Sequence, residues 1–138
     1  MFDSESIKDL EGKTIKELVI NSEKTTIGFI LDNGKTLWAN AVGDCCSFEH
    51  VNGVDALIGQ TINKVVEREM PEAEGEHGDE VVQYYGWTFE TNKGRCDLEM
   101  RNRSNGYYGG WVNVSDKVLD QYDGEEAMPS VRPLSEDF

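Results

Sequence analysis

The stretch VVQYYGWTFETNKGRCDLEMRNR, Val81–Arg103, decides the fold. Tyr85, Trp87 and Phe89 recur at every second position, and beyond Asn92-Lys93-Gly94 so do Cys96, Leu98 and Met100. Side chains two apart share a face only in an extended strand, because a helix brings together residues three and four apart. The stretch therefore reads as a β-hairpin with its tip at Asn92–Gly94.

Working outward, the same alternation recurs nearer the N-terminus. Ile27, Phe29 and Leu31 lead into Asp32-Asn33-Gly34, and Leu37–Val42 returns. Asn-Gly tolerates the positive φ angles of a two-residue hairpin turn. Together with Ile15, Leu18 and Ile20, residues 14–42 predict a three-stranded antiparallel meander. TINKVVERE supplies a further strand and Trp111–Val114 a last short one. DSESIKDLEG predicts a short helix or turn ended by Gly12, and Val54–Ile58, closed by Gly59, one or two helical turns. GDCCSFEHVNGVDALIG, Gly43–Gly59, is too irregular for a strand throughout. Pro71 and clustered acids over residues 69–80 have little to bury and predict a mobile acidic loop.

The expected fold class is α+β, predominantly antiparallel β. Six or seven strands would form a curled sheet or open barrel with one or two short helices. Residues 1–114 would make one domain, followed by an acidic C-terminal extension at 115–138.

A chain of 138 residues can bury a core without a staple. Its three cysteines, two of them adjacent, are no disulfide framework. That usage, with an N-terminus lacking the features of a secretory signal and no apolar run of membrane-spanning length, predicts a cytoplasmic protein. Lys plus Arg number 13 against 27 Asp plus Glu, a net charge of −14. Such a field disfavours direct nucleic-acid binding and anionic membranes and favours basic partners.

GDCCSFEH, DALIGQTI, WTFETNKG and RNRSNGYYGG occur in this order. In that combination the chain resembles an uncharacterised family of small proteins from bacteriophages and bacteria. The resemblance covers residues 14–114 and implies a phage or prophage origin. It carries no activity and no catalytic residues.

The irregular motifs are the candidate site. Ser104-Asn105-Gly106 is a turn, and Gly109-Gly110 gives a second bend. Arg101 and Arg103 share strand parity and could grip an anion, while Tyr107 and Tyr108 cannot both face a core. The expected ligand-binding set is Asp44, Cys45, Arg101, Arg103, Ser104, Asn105, Tyr107 and Tyr108, lining one concave surface. The competing reading is a structural turn whose arginines neutralise nearby carboxylates.

Cys45 and Cys46 read as structural: His50 is the one nearby base, and zinc would need Cys45, Cys46, Cys96 and His50 to converge. Trp38, Trp87 and Trp111 read as core. There is no phosphate loop, no GxSxG and no HExxH. The expectation is a non-enzymatic phage accessory protein without cofactor or metal. It would bind a small anionic, nucleotide-like molecule or a host protein with a basic surface. The alternatives are an acidic DNA mimic, a virion structural or decoration protein, and a cysteine-dependent enzyme.

Overall fold

The meander expected over residues 14–42 is present as β1 (Ile15–Asn21), β2 (Thr26–Leu31) and β3 (Thr36–Val42). The computed structural model describes the backbone of residues 6–42, 46–74, 81–104, 111–120, 122, 124–128 and 130–134. At positions 46, 49–50, 69–74, 81–85, 101–104 and 111 the description is of the backbone alone. Between β2 and β3 the turn differs from the expected two-residue form. Gly34 donates to the Leu31 carbonyl (3.1 Å), Leu31 donates to that of Lys35 (2.8 Å), and among the turn residues Gly34 alone takes positive φ, at 88°. This is a three-residue loop in which the glycine forms the bulge.

The remaining strands are β4 (Cys46–Asn52), β5 (Lys64–Glu74), β6 (Val81–Thr91), β7 (Gly94–Ser104), β8 (Trp111–Ser115) and β9 (Val131–Pro133). They make nine among the described residues, more than the six or seven expected. They form neither one curled sheet nor a barrel but two antiparallel sheets, ordered β8-β3-β2-β1-β9 and β4-β7-β6-β5. Among the described residues the helical elements are a 3-10 turn, Ile7–Leu10, and α1 (Val54–Leu57).

Alternation accounts for the core. Ile27, Phe29 and Leu31 on β2, Leu37, Ala39 and Ala41 on β3, and Phe89, Cys96, Leu98 and Met100 on the Val81–Ser104 hairpin are all buried in one cluster. Phe29 and Phe89 join the two sheets, their ring centroids 5.6 Å apart. Trp87 is buried as expected, but Trp38 is not in that core. It is half-buried and lies across Gly28, where a Cβ would overlap its ring. The missing side chain at Gly28 gives the indole a seat on the sheet. The Trp111 side chain lies outside the description.

At one end the sheets are laced together by the chain itself. Gly59 donates to the Ile15 carbonyl (2.7 Å), Ile15 to that of Gln60 (3.0 Å), and Gly12 to that of Ile62 (2.7 Å). Leu57 and Ile62 are fully buried beneath this lacing.

Three expectations need correction. Cys46–Asn52 is a strand; a bulge between Phe48 and His50 breaks its alternation and hides it from a period-two reading. β5 continues to Glu74, well into the segment expected as a loop at 69–80, of which 75–80 lie outside the described residues. Pro71 is tolerated because β5 is an edge strand and its register shifts between Met70 and Ala73.

The third concerns the acidic extension, which takes part in the fold. After β8 the chain passes Asn40, whose side chain is fully buried. The Asn40 amide accepts from Thr26 Oγ1 (2.9 Å) and the Leu119 N–H (3.1 Å), and donates to the Lys117 carbonyl (2.9 Å). A small hairpin follows, closed by Asp120 N–H to Glu125 O and Ala127 N–H to Val118 O, both 2.8 Å. β9 then pairs with β1, and Leu134 enters the core fully buried. Five acids and two bases in residues 116–134 mask these few anchoring positions in a compositional reading.

Candidate functional site

The register brings together the two irregular motifs singled out in the sequence. Residues 43–45 connect β3 to β4 and residues 105–110 connect β7 to β8, so both cross between the sheets. Val42 pairs with Trp111 in one sheet and Cys46 with Asn102 in the other, so the crossings start and finish side by side. Arg101 pairs with Ser47 and Tyr84, Arg103 with Val82, and Ser104 with Val81. Asp44, Cys45, Asn105, Tyr107 and Tyr108 lie outside the described residues.

At the opposite end of the five-stranded sheet lies an open cleft of about 740 Å³. Small-molecule sites commonly span roughly 300–1,000 Å³. Its described lining comes from the 3-10 turn and Lys13 beyond it, the end of β2 and the β2–β3 loop, the start of β3 and Asp116. Buried Leu10, Leu31 and Leu37 give it apolar walls, and half-buried Trp38 adds an indole. Lys13 and Lys35 stand on its rim with Asp9 and Asp116, all four exposed.

Local structure positions these groups. The 3-10 turn is capped by Ser6, whose N–H donates to Asp9 Oδ2 (2.8 Å) while its hydroxyl accepts from the Lys8 N–H (3.0 Å). Lys35 is fixed at the loop by its N–H donating to Asn33 Oδ1 (2.9 Å). Ammonium groups attract an anion, an indole stacks on a flat ring, and carboxylates accept from hydroxyl donors. No local pattern reveals the cleft, because its residues come from three separate segments. The one local signal was a tryptophan directly opposite a glycine, Trp38 against Gly28.

Among the described side chains, Cys96 and Asp97 are occupied structurally. Cys96 is buried, and burial, reinforced by the Asp97 charge, pushes its thiol up to about 12. A thiol held protonated is a poor nucleophile and metal ligand. Asp97, also buried, accepts from Thr88 Oγ1 (2.7 Å) and pairs with Arg68 (3.6 Å) and Arg95 (3.5 Å). Gly86 lets Arg68 lie close to the sheet; a Cβ there would stand 3.3 Å from the guanidinium. Among the described residues no three His, Cys, Asp or Glu side chains group as a metal site.

The Cys96 environment has a measurable consequence. In a variant with Ser at positions 45 and 46, Cys96 should resist alkylation in the native protein and react on unfolding. Its thiol ionises more readily in the unfolded chain, so stability should hold below about pH 9 and fall as pH rises toward 12. Rapid native-state labelling would show the thiol to be accessible.

Fold and cleft thus define a two-sheet β protein with a small-molecule-sized concavity on one sheet and paired crossings at that sheet's far end. The chain belongs to the family described as Domain of unknown function (DUF7448), whose model matches residues 8–114. The match stops just short of the β8 terminus, so the strap of residues 116–130 and β9 lie beyond the shared part. No curated protein matches the chain, and neither does any solved structure. Among the described residues, no helix is long and apolar enough to cross a membrane.

Proposed function

We propose that this protein acts by binding rather than by catalysis, and that it takes a small ribonucleotide-like anion in the Trp38 cleft. The carrying observation is the cleft itself, with Trp38, Lys13 and Lys35 at one concavity of a strongly acidic chain. A ribonucleotide has a flat ring for the indole, a phosphate for the lysines and hydroxyls that donate to Asp9 and Asp116. The resemblance to small phage proteins suggests a setting: sequestration of a nucleotide signal used in host defence, in the host cytoplasm.

The pairing of Ser47 with Arg101 favours a second reading. In it the anion is held at the crossings by Arg101 and Arg103, with Asp44, Cys45 and the Ser104–Tyr108 turn around it.

Calorimetric titration of the full chain with adenosine 5′-monophosphate separates these readings. Adenosine and inorganic phosphate serve as partial ligands. The Lys13→Ala/Lys35→Ala variant should keep its thermal stability, because both side chains are exposed. It should lose about tenfold or more in affinity, the equivalent of about 1.4 kcal/mol. Trp38→Leu should weaken adenosine as well as the nucleotide. Binding unchanged in the lysine variant but lost in Arg101→Ala would move the site to the crossings. No heat and no stabilisation by millimolar nucleotide would dispose of the nucleotide reading altogether.

A further inference from the structure

Among the described residues, the large apolar side chains left exposed gather in one place. Met128 is 89% exposed, Tyr122 76% and Val131 36%, and all three lie in the strap or at the start of β9. Among the other described residues the large apolar side chains are buried or half-buried, so this concentration is not the usual scatter of single surface hydrophobics. The three line a second cleft, of about 200 Å³, between the strap and the turn joining β1 to β2. That volume is too small for the nucleotide proposed above but suits one aliphatic side chain.

The surroundings specify the visitor's charge. Glu23 and Asp120 line the cleft, and Glu125 and Glu126 are exposed on the same hairpin. The whole chain adds a net charge of −14. An acidic rim around apolar anchors is complementary to a basic surface carrying an apolar residue. Strand addition at the neighbouring edge is disfavoured, because β9 has three residues and Pro133 has no N–H to offer. Recognition would rest on side chains entering the cleft.

We propose that the strap is a docking surface for a basic segment of another protein, with one apolar side chain of that segment seated between Tyr122, Met128 and Val131. The proposal does not depend on the nucleotide reading, since the two clefts share none of the described residues.

The test uses the full-length protein, isotopically labelled, and a short synthetic peptide of lysines and arginines with one central leucine. Amide shift changes should cluster at residues 118–131. Replacing the peptide's leucine by serine, or making Met128→Ser in the protein, should each weaken binding about tenfold, the scale of an interface anchor. Both Met128→Ser and Tyr122→Ser should retain the wild-type melting temperature, because these side chains are exposed. An acidic peptide with the same leucine should not bind.

Equal affinity for the leucine and serine peptides would reduce the effect to bulk charge and overturn the docking site. So would shift changes elsewhere, equal binding of the acidic peptide, or no binding. Self-association abolished by Met128→Ser in sedimentation experiments would make the occupant a second copy of this chain and overturn the proposal as stated.

Discussion

A chain ended at Ser115 is expected not to keep this fold. The truncation removes β9 from the edge of β1 and Leu134 from the core. It also strips the buried Asn40 amide of the Lys117 carbonyl and the Leu119 N–H. Loss of a buried leucine side chain alone costs about 2–5 kcal/mol. Unpaired buried polar groups add about 1–3 kcal/mol each. Typical domain stabilities are about 5–15 kcal/mol, so the sum consumes much or all of the margin. Leu134→Ala is the gentler version and should lower the melting temperature by roughly 2–8 °C for each kcal/mol lost. A truncated protein that melts cooperatively within a few degrees of the full chain would show that the extension merely rests on the domain.

Gly53→Ala should rank among the most damaging single substitutions. Gly53 precedes α1 with φ 79°, and a Cβ there would overlap the backbone carbonyl oxygen of Arg95. Neither partner can yield cheaply, because the obstacle is the main chain of β7. Gly59 provides the control, with φ 80° and nothing within 4 Å of its notional Cβ. Gly59→Ala should cost about 1–2 kcal/mol, the strain of the left-handed conformation alone. Gly53→Ala should exceed it by at least about 2 kcal/mol, the scale on which overpacking is felt. Chemical denaturation of the two variants gives the difference directly. Equal losses would mean that β7 moves aside freely.

What the sequence disclosed was governed by distance along the chain. The hairpin at Asn92–Gly94 and the glycine turn at Gly34 are specified by adjacent residues, and the place of both was legible, though not the three-residue form of the second. β4 was hidden because the bulge between Phe48 and His50 reverses the face of later residues. β9 was hidden because three residues ending in proline carry no period. The pairing of the two sheets depends on contacts such as Phe29 with Phe89, which no local pattern encodes. The site shows the same division. The neighbourhood of the GDCC and RNRS motifs follows from the hairpin once β4 is placed, as Cys46 pairs with Asn102. The Trp38 cleft was not legible, because Lys13, Lys35 and Asp116 meet the indole only after three strands have been laid side by side.

The pairing of β9 with β1 also bears on how the protein is made. Ile20 pairs with Arg132, so this partner of β1 is translated long after β1 itself. Until then β1 presents an open edge, flanked by the apolar residues of a half-built core. Such an edge invites strand exchange with a neighbouring nascent chain. Closing so long a loop also places the final step among the slower kinds of folding event. The charge of the strap helps here, since its acidic residues keep a late-arriving segment soluble and apart from other copies until Leu134 can lock it down.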